Sequence, residues 1–256
     1  MSQTKGELKG KRVVVTRASS QAGKLRGLLE ARGADVLEIP TIKILPPQSD
    51  LAKREFVENV SHVHTYDWLV FTSVNGVEQF FEAYFKAFAD ARSIGGAKIA
   101  AVGPSTAAKI NSYRYAVDLM PSEYVAEALL KEFSDKESVE NLTVMWVRGA
   151  ESRGVVSAGL TALGAIVDEC IAYETVAETE DTTGDKKRMS EEGADYILFA
   201  NSSGARNFFE HGNTLPKGCK IASIGKITSQ TLRDLGQTVD VEASESTMES
   251  LVDAIC

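Results

Sequence analysis

The chain has 256 residues and a formal net charge of −8, so it lacks the basic surplus of a nucleic-acid-binding protein. Its residues are 43% hydrophobic and 25% charged, which is typical of a globular protein with one large or two ordinary domains. The cysteines, Cys170, Cys219 and Cys256, have no paired spacing and indicate neither a disulfide framework nor a zinc site. We therefore expect a cytoplasmic protein without a signal peptide or a membrane span.

The chain opens with a strand, a turn and a helix. Residues 13–15 are three valines, which favour a strand, and residues 16–20 form a predicted turn. Apolar residues at helical spacing follow as far as Gly33, a typical residue after a helix end. Residues 36–45 are then mostly β-forming, and residues 49–65 have a weak helical pattern.

Residues 67–81 show the organisation of the chain most clearly. Residues 68–71 are an unbroken apolar run, typical of a strand buried on both faces. Residues 72–76 are a polar turn that can cap a helix, and apolar residues at i, i+3 and i+4 spacing follow it. Backbone N–H groups at such a helix start are suited to binding anions.

The same pattern recurs 128 positions later, in residues 195–209. Residues 144–148 likewise repeat the pattern of residues 13–17, and residues 220–225 repeat that of residues 98–103. A repeat of about 120 residues has the size of a domain rather than of a solenoid unit. Alternating strands and helices predict parallel sheets.

The second strand of each repeat is unusually long. At about 3.3 Å per residue, residues 36–45 and residues 167–177 would each extend on the order of 30 Å, more than a typical strand. Such strands can leave one sheet and enter another. Residues 116–120 are a further predicted strand, after which Pro121 opens a helix.

These patterns predict two similar α/β domains with parallel sheets, produced by an internal duplication. We expect a two-stranded β bridge to join them, with the N-terminal β-α-β segment completing the sheet of the C-terminal domain. One domain then comprises residues 1–38 and 176–256, and the other comprises residues 44–168. Residues 39–43 and 169–175 are the predicted bridging strands.

Four strand-to-helix junctions are candidate binding sites. A single glycine at such a junction more often serves tight packing than ligand approach, but four junctions together favour an anion-binding cleft. Arg17 and Arg148 each follow the first strand of their repeat and would supply cations. Tyr173 lies in the long strand, where the residue taken alone is more consistent with aromatic packing against a neighbour.

Between residues 10 and 255 the chain resembles the uroporphyrinogen-III synthase family. The resemblance is carried by short motifs in the expected order, with Lys226-Ile227 and Asn201 departing from the usual family residues. The matching motifs are Val13 with Thr16-Arg17, residues 71–76, Val102-Gly103, Ala172-Tyr173-Glu174-Thr175, residues 199–204, and Ile224-Gly225 with Thr228.

The resemblance implies a lyase that cyclises hydroxymethylbilane to uroporphyrinogen III, with inversion of ring D and loss of water. No metal or cofactor takes part in the family's reaction. The linear tetrapyrrole substrate carries eight carboxylates, which suits turns lined with N–H donors. Tyr173 matches the tyrosine of the family's Tyr-x-Thr strand, the candidate acid for the departing hydroxyl, and a phenol is protonated near neutral pH.

Matching the remaining motifs gives a set of candidate substrate-binding residues in the turns of both repeats. They are Arg17, Thr72, Ser73, Asn75, Gly76, Gly103, Ser105, Thr106, Arg148, Gly149, Asn201, Ser202, Ser203, Gly204, Gly225 and Thr228.

We further expect a monomer that contacts hydroxymethylbilane synthase transiently and serves the biosynthesis of haem or related tetrapyrroles. The alternative hypothesis is a non-catalytic, hinged two-domain protein of the same fold that binds an anion or regulates another protein. The absence of a signal-peptide pattern counts against a periplasmic receptor, and Tyr173 in the bridge favours the enzyme.

Overall fold

The computed structural model describes residues 7–17 and 19–256. The predicted turn at residues 16–20 and the predicted domain segment 1–38 therefore lie partly outside the described residues. The chain divides into two compact units. Unit 1 comprises Met1–Lys43 and Val176–Cys256, and unit 2 comprises Ile44–Thr175.

The described residues form ten strands and ten α-helices. The strands are β1 (Arg12–Val15), β2 (Asp35–Glu38), β3 (Ile42–Leu45), β4 (Trp68–Phe71), β5 (Lys98–Ala101), β6 (Thr143–Gly149), β7 (Ile166–Ala177), β8 (Tyr196–Phe199), β9 (Lys220–Ser223) and β10 (Val241–Glu242). The helices are α1 (Ser19–Ala31), α2 (Asp50–Ser61), α3 (Val74–Ala87), α4 (Pro104–Ser112), α5 (Ala126–Lys136), α6 (Val155–Ala162), α7 (Asp185–Glu192), α8 (Ser202–Glu210), α9 (Lys226–Asp234) and α10 (Met248–Asp253). Two short 3₁₀ helices lie at Val63–Thr65 and Ala91–Ile94.

The strands form two five-stranded sheets. The strand order is β10-β9-β8-β1-β2 in one sheet and β3-β7-β6-β4-β5 in the other. In the first sheet the pairs β1·β2, β1·β8, β8·β9 and β9·β10 are all parallel. In the second sheet the pairs β4·β5, β4·β6 and β6·β7 are parallel. The chain is therefore a mixed α/β protein with parallel strands, as its alternating pattern predicts.

Each sheet is covered by helices on both faces, because its strands are apolar on both sides. In unit 1, Val13 and Val15 pack in a cluster with Leu25 of α1, whereas Val14 packs in another with Phe208 of α8. In unit 2, Phe71 packs with α3 and Val70 with residues of α5 and α6. Successive side chains of a strand point to opposite faces, which produces this alternation. Within the described residues, none of the helices combines the length and the apolar character needed to cross a lipid bilayer.

Two predicted strands differ from the observed ones. Residues 36–45 do not form one long strand: β2 ends at Glu38 and β3 begins at Ile42, with Pro40 between them. Proline lacks a backbone N–H and therefore interrupts a ladder of hydrogen bonds. By contrast, β7 runs unbroken for 12 residues, close to the predicted 167–177.

The predicted strand at residues 116–120 is reduced to a single bridge between Ala100 and Leu119. The helix that was expected to open at Pro121 begins instead at Ala126. Residues 121–125 form bends and coil between these elements.

Asp67 and Asp195, which begin the repeated stretches, make the same hydrogen bonds in their own units. The Oδ2 atom of Asp67 accepts the backbone N–H of Thr143 at 2.8 Å, and that of Asp195 accepts the N–H of Arg12 at 2.9 Å. Each aspartate therefore joins the start of one strand to its neighbour.

A second pair of aspartates, Asp118 and Asp240, also makes matching hydrogen bonds. The carboxylate of Asp118 accepts the N–H of Ile99 at 2.8 Å, and that of Asp240 accepts the N–H of Ile221 at 2.7 Å.

The bonds to Asp195 make the stability of unit 1 dependent on pH. The backbone N–H of Arg12 and then the side chain of Lys11 hold the pKa of the Asp195 carboxyl below its ordinary value. A carboxyl whose folded-state pKa is lowered stabilises the fold above its unfolded-state pKa of about 4, and this stabilisation is lost as the pH falls through the lower, folded-state value.

We expect Asp195→Asn to lower the free energy of unfolding by about 1 kcal/mol at pH 7, since a charge-assisted hydrogen bond is lost at a partly exposed site. The deficit relative to the parent should shrink at pH 3, where the parent carboxylate is also becoming protonated. Urea denaturation of the variant and the parent at both pH values measures this difference in the free energy of unfolding. Asp50→Asn, at a side chain that is 91% exposed, is the matched control with an expected change of less than about 0.5 kcal/mol. An equal deficit for Asp195→Asn at both pH values would contradict the electrostatic explanation.

Candidate functional site

The order of strands in each sheet creates a point where ligands commonly bind. In unit 2, the neighbouring strands β4 and β6 are followed by α3 and α6, which pack on opposite faces of the sheet. In unit 1, the neighbouring strands β8 and β1 are followed by α8 and α1, which likewise pack on opposite faces of the sheet. Helices that diverge to opposite faces leave a crevice at the carboxyl ends of the two strands, the topological switch point.

In unit 2, Ser73 caps the helix at this switch point. Its backbone is extended, its Oγ accepts the N–H of Gly76 at 3.0 Å, and its carbonyl oxygen accepts the N–H of Val77 at 3.2 Å. Thr72, one residue earlier, accepts the indole N–H of Trp146 at 3.3 Å. The predicted helix cap in residues 72–76 is thus present, and its polar residues hold β4, α3 and β6 together at this edge.

In unit 1, Asn201 occupies the equivalent capping position. Its Oδ1 accepts the N–H of Gly204 at 2.6 Å and the hydroxyl of Ser203 at 3.1 Å. The hydroxyl of Thr41 lies 3.0 Å from the carbonyl oxygen of Gly204 and 3.1 Å from that of Thr16. Sequence reasoning missed Thr41, because nothing in the pattern of residues 36–45 marks one hydroxyl as belonging to the turn after β8.

Tyr173 lies at the switch point of unit 2. Its hydroxyl oxygen is 3.0 Å from the Oγ of Ser73, and its carbonyl oxygen accepts the N–H of Ala150 at 2.9 Å. The ring lies directly on Gly149 at the end of β6, where a β-carbon would be 2.7 Å from the ring atom Cζ and 2.9 Å from the hydroxyl oxygen. Tyr173 is only 9% exposed, and its hydroxyl is partly buried.

A register shift explains how Tyr173 reaches Gly149. The strands β6 and β7 pair regularly as far as Arg148 and Ile171, after which Gly149 pairs with Tyr173. The extra residue on β7 is a β-bulge, which re-aims the side chain that follows it. The bulge and the missing β-carbon of Gly149 together let the phenol lie across β6 toward Ser73.

The two predicted cations have different surroundings. The guanidinium of Arg148 donates hydrogen bonds to the carbonyl oxygens of three loop residues, Gly149, Ala150 and Ser152. It also forms an ion pair with Glu169 and lies 4.8 Å from the centre of the Trp146 ring. These contacts shape the loop after β6, and they occupy most of the donors that we expected to bind an anion.

Arg17 lies near a methionine of α10. Its Nη1 lies 3.3 Å from the sulfur of Met248, and burial lowers the pKa of its guanidinium. A guanidinium remains charged at neutral pH even so. Arg17 thus keeps a positive charge near the end of β1 in unit 1.

Gly103 and Gly225 close the remaining two turns, and each faces a residue that sequence reasoning missed. A β-carbon at Gly103 would be 3.3 Å from the Cβ of Tyr124, and one at Gly225 would be 2.9 Å from the Oγ of Ser246. Tyr124 and Ser246 are 122 positions apart, as are the two glycines. This common spacing is the signal that could have identified both residues.

A pocket lies beside these turns in each unit. In unit 1 a pocket of about 520 Å³ is lined by Gly225, Lys226, Thr228, Ser244 and Ser246, among others. In unit 2 a pocket of about 350 Å³ is lined by Thr72, Val102, Tyr124, Trp146 and Arg153, among others. Both pockets mix backbone, hydroxyl and apolar groups, which suits a ligand with polar and apolar parts. Each is also lined by charges of both signs, Lys226 and Glu242 in unit 1 and Arg153 and Glu127 in unit 2.

Other predicted site residues lie in the first turns of the helices and differ in their exposure. Thr106 and Thr228 each follow a turn glycine by three residues, but their side chains are buried in the first turn of α4 and α9. Ser105 is exposed, while Asn75 and Ser202 are partly exposed in the first turns of α3 and α8. The structure therefore brings together Ser73, Gly149 and Tyr173 as the compact part of the predicted set.

Chemically, the site offers backbone N–H groups at helix starts, several hydroxyls and one buried phenol bonded to a serine. Helix starts bind carboxylates through N–H groups without needing paired cations. A phenol beside them can donate or accept a proton. The arrangement suits the binding of an anionic molecule combined with a proton transfer.

Comparison with known proteins identifies the family. The model of the family described as Uroporphyrinogen-III synthase HemD matches residues 23–253. The uroporphyrinogen-III synthase of Synechococcus elongatus is 32% identical over 96% of this chain and 94% of its own length, and that of Chlorobaculum parvum is 28% identical over 90% and 92%.

Solved structures share the fold. Uroporphyrinogen-III synthetase from Helicobacter pylori has a TM-score of 0.62 at 15% identity, with 95% of this chain and 97% of that chain covered. A mutant uroporphyrinogen III synthase from Thermus thermophilus has a TM-score of 0.58 at 17% identity, with 95% and 96% covered. Given the extent of the family match and of the relative at 32% identity, this chain belongs to the uroporphyrinogen-III synthase family.

Proposed function

We propose that this chain converts hydroxymethylbilane into uroporphyrinogen III, inverting ring D and releasing water. The observation that carries the proposal is the partly buried Tyr173 hydroxyl, which lies 3.0 Å from the Oγ of Ser73 and over Gly149 at a topological switch point. The alternative of a non-catalytic anion-binding protein is not favoured, because relatives that match nearly the whole chain are named as synthases.

The first chemical step is loss of the terminal hydroxyl of the substrate. Tyr173 donates its phenolic proton to that hydroxyl, the C–O bond breaks, and water leaves together with the bonding electrons. The products of this step are an azafulvene cation on the substrate and a phenolate on Tyr173. General acid help of this kind typically accelerates a reaction by about 10²–10⁴-fold.

Ring inversion follows from the geometry of the bound cation. Ring D attacks through its substituted carbon to give a spiro intermediate, which breaks and recloses with the ring reversed. The proton released as the final pyrrole regains its aromaticity returns to the phenolate, so the cycle conserves protons. Since the substrate closes in water without inversion, the protein acts by selecting one folded conformer.

The turns are proposed to bind the substrate's carboxylates. In unit 2, Asn75, Gly103 and Ser105 would do so, because the N–H of Gly76 is already bonded to Ser73 and the hydroxyl of Ser73 contacts Tyr173. In unit 1 the corresponding residues are Asn201, Ser202, Ser203 and Gly225, with Arg17 nearby, because the N–H of Gly204 is already bonded to Asn201. The proposal is supported by the N-caps of α3 and α8 and by the pockets beside Gly225 and Thr72. Thr106 and Thr228, being buried, would act by shaping these turns, and Arg148 by holding the loop after β6.

We also propose that the two units arose by duplication, with domain bounds as predicted from the sequence and with residues 39–43 and 169–175 as the segments that connect them. Of residues 39–43, only the last two lie in a strand. Matching hydrogen bonds of Asp67 and Asp195 support a duplication. We further propose that the protein acts in the cytoplasm as a monomer and receives its unstable substrate during transient contact with hydroxymethylbilane synthase.

The direct test is an isomer assay. Hydroxymethylbilane is generated in situ by its synthase, the porphyrinogen product is oxidised, and the type I and type III isomers are separated. Addition of the chain should shift the product from type I to type III. An unchanged type I product, obtained with folded protein, would refute the proposed function.

Tyr173→Phe tests the acid. We expect kcat to fall by about 10²–10⁴-fold, because the ring remains while the proton donor is lost. Substrate binding should change little, so the fall should appear in kcat rather than in KM. The free energy of unfolding should change by only about 1 kcal/mol, the typical worth of one hydrogen bond.

The control is Tyr66→Phe in the same unit, which removes a phenolic hydroxyl that donates to Asp168 at 2.7 Å. It should lose stability to a similar extent and retain kcat. A Tyr173→Phe variant that turns over within about threefold of the parent would eliminate Tyr173 as the acid.

Gly149→Ala tests the placement of the phenol. The new β-carbon would overlap the Tyr173 ring, so the ring must move away from Ser73. We expect at least a tenfold loss of kcat together with about 1–3 kcal/mol of destabilisation from overpacking. Gly154→Ala in the same loop is the control, since a β-carbon there meets nothing within 4 Å. Normal turnover by Gly149→Ala would show that the observed position of the ring is not needed.

A further inference from the structure

The direction of the hydrogen bond between Ser73 and Tyr173 matters for the proposed reaction. The hydroxyls of Ser73 and Tyr173 are 3.0 Å apart, and either can be the donor. Each hydroxyl has a single proton. The direction of this bond therefore decides whether the phenolic proton of Tyr173 points at Ser73 or at the substrate.

The surroundings of Ser73 favour donation by the serine. Its Oγ already accepts the N–H of Gly76 at 3.0 Å, at the start of α3. Accepting that bond polarises the serine hydroxyl and strengthens it as a donor, and the N-terminal end of a helix favours negative charge nearby. The resulting chain runs from the Gly76 N–H to Ser73 and from Ser73 to the oxygen of Tyr173.

We infer that Ser73 is a positioning residue that donates its hydroxyl proton in a hydrogen bond to Tyr173, orients the phenolic proton toward the substrate, and stabilises the phenolate formed when that proton leaves. The inference rests on the proposed function. Ser73 does not itself give up its proton, so the balance of the acid step is unchanged. Its effect arises in the transition state, where charge develops on the phenol oxygen.

The equivalent helix cap in unit 1 lacks the features that suit Ser73 to this role. Asn201 caps α8 through Oδ1, which accepts from Gly204 and from Ser203. The hydroxyl beside that turn is Thr41, which lies within bonding distance of two carbonyl oxygens. Of the two equivalent caps, the one that carries a hydroxyl is the one that contacts a phenol.

The experiment measures kcat and KM for Ser73 variants in the isomer assay. Hydrogen bonds to charged groups contribute about 1.5–3 kcal/mol, so Ser73→Ala should lower kcat by about 10- to 150-fold. KM should change less than about threefold, because the effect belongs to the transition state. Ser73→Thr, which keeps the hydroxyl, should recover most of kcat.

Two further variants separate proton donation from helix capping. Ser73→Asp keeps a good N-cap but cannot donate when ionised, so its kcat should stay as low as that of Ser73→Ala. Ser49→Ala removes the serine cap of α2, where Oγ accepts the N–H of Ala52 at 3.1 Å, and should leave kcat unchanged. Full activity of a folded Ser73→Asp variant would overturn the inference in favour of a cap alone.

A double-mutant cycle with Tyr173→Phe gives the decisive result. If Ser73 acts through Tyr173, adding Ser73→Ala to Tyr173→Phe should lower kcat no further than about twofold. An equal fall in both backgrounds would overturn the inference while leaving Tyr173 as the acid. If kcat were unchanged in Ser73→Ala but fell strongly in Tyr173→Phe, the inference about Ser73 would also be overturned while Tyr173 remained the acid. If Tyr173→Phe itself retained full kcat, the acid step of the proposed function would fail first.

Discussion

The parallel arrangement of the strands is the constraint on which the site depends. Parallel strands all end at one edge of a sheet, so every turn that leads from a strand into a helix lies at that edge, together with the N-terminus of the helix. In unit 2 this places the end of β4, with Ser73, beside the end of β6, with Gly149. No residue needs a special conformation for this, since the edge follows from the register of the strands.

The phenol reaches that edge through a departure from regular structure. The bulge between β6 and β7 and the absence of a side chain at Gly149 let Tyr173 cross from its own strand toward Ser73. Regular pairing would direct the same side chain elsewhere, because one residue of slip reverses the face of a strand. Irregularities of this kind are common next to active sites, where they re-aim a single side chain.

Charge contributes less to the site than the anionic substrate would suggest. Arg148 sits where a cation could bind a carboxylate, but its donors meet the carbonyl oxygens of its own loop and the carboxylate of Glu169. A loop after a strand leaves carbonyl groups without partners, and a buried guanidinium has the fork of donors that satisfies them. At this turn the electrostatics therefore depend largely on the helix start and the hydroxyls, whereas Lys226 and Arg153 line the pockets beside the other turns.

Local signals in the amino-acid sequence are sufficient to predict the strands, the turns and their order. Apolar runs, capping residues such as Ser73 and the recurrence of the pattern after Asp195 are local signals, so the parallel α/β class and the turns could be predicted. Pro40, also a local signal, could have predicted the break between β2 and β3. By contrast, the contact of Tyr173 with Ser73, 100 residues away, and the bonds of Arg148 to its own loop become visible only in the folded chain. These contacts depend on strand order and on one register shift, which arise when distant segments pair and leave no periodic trace in the chain.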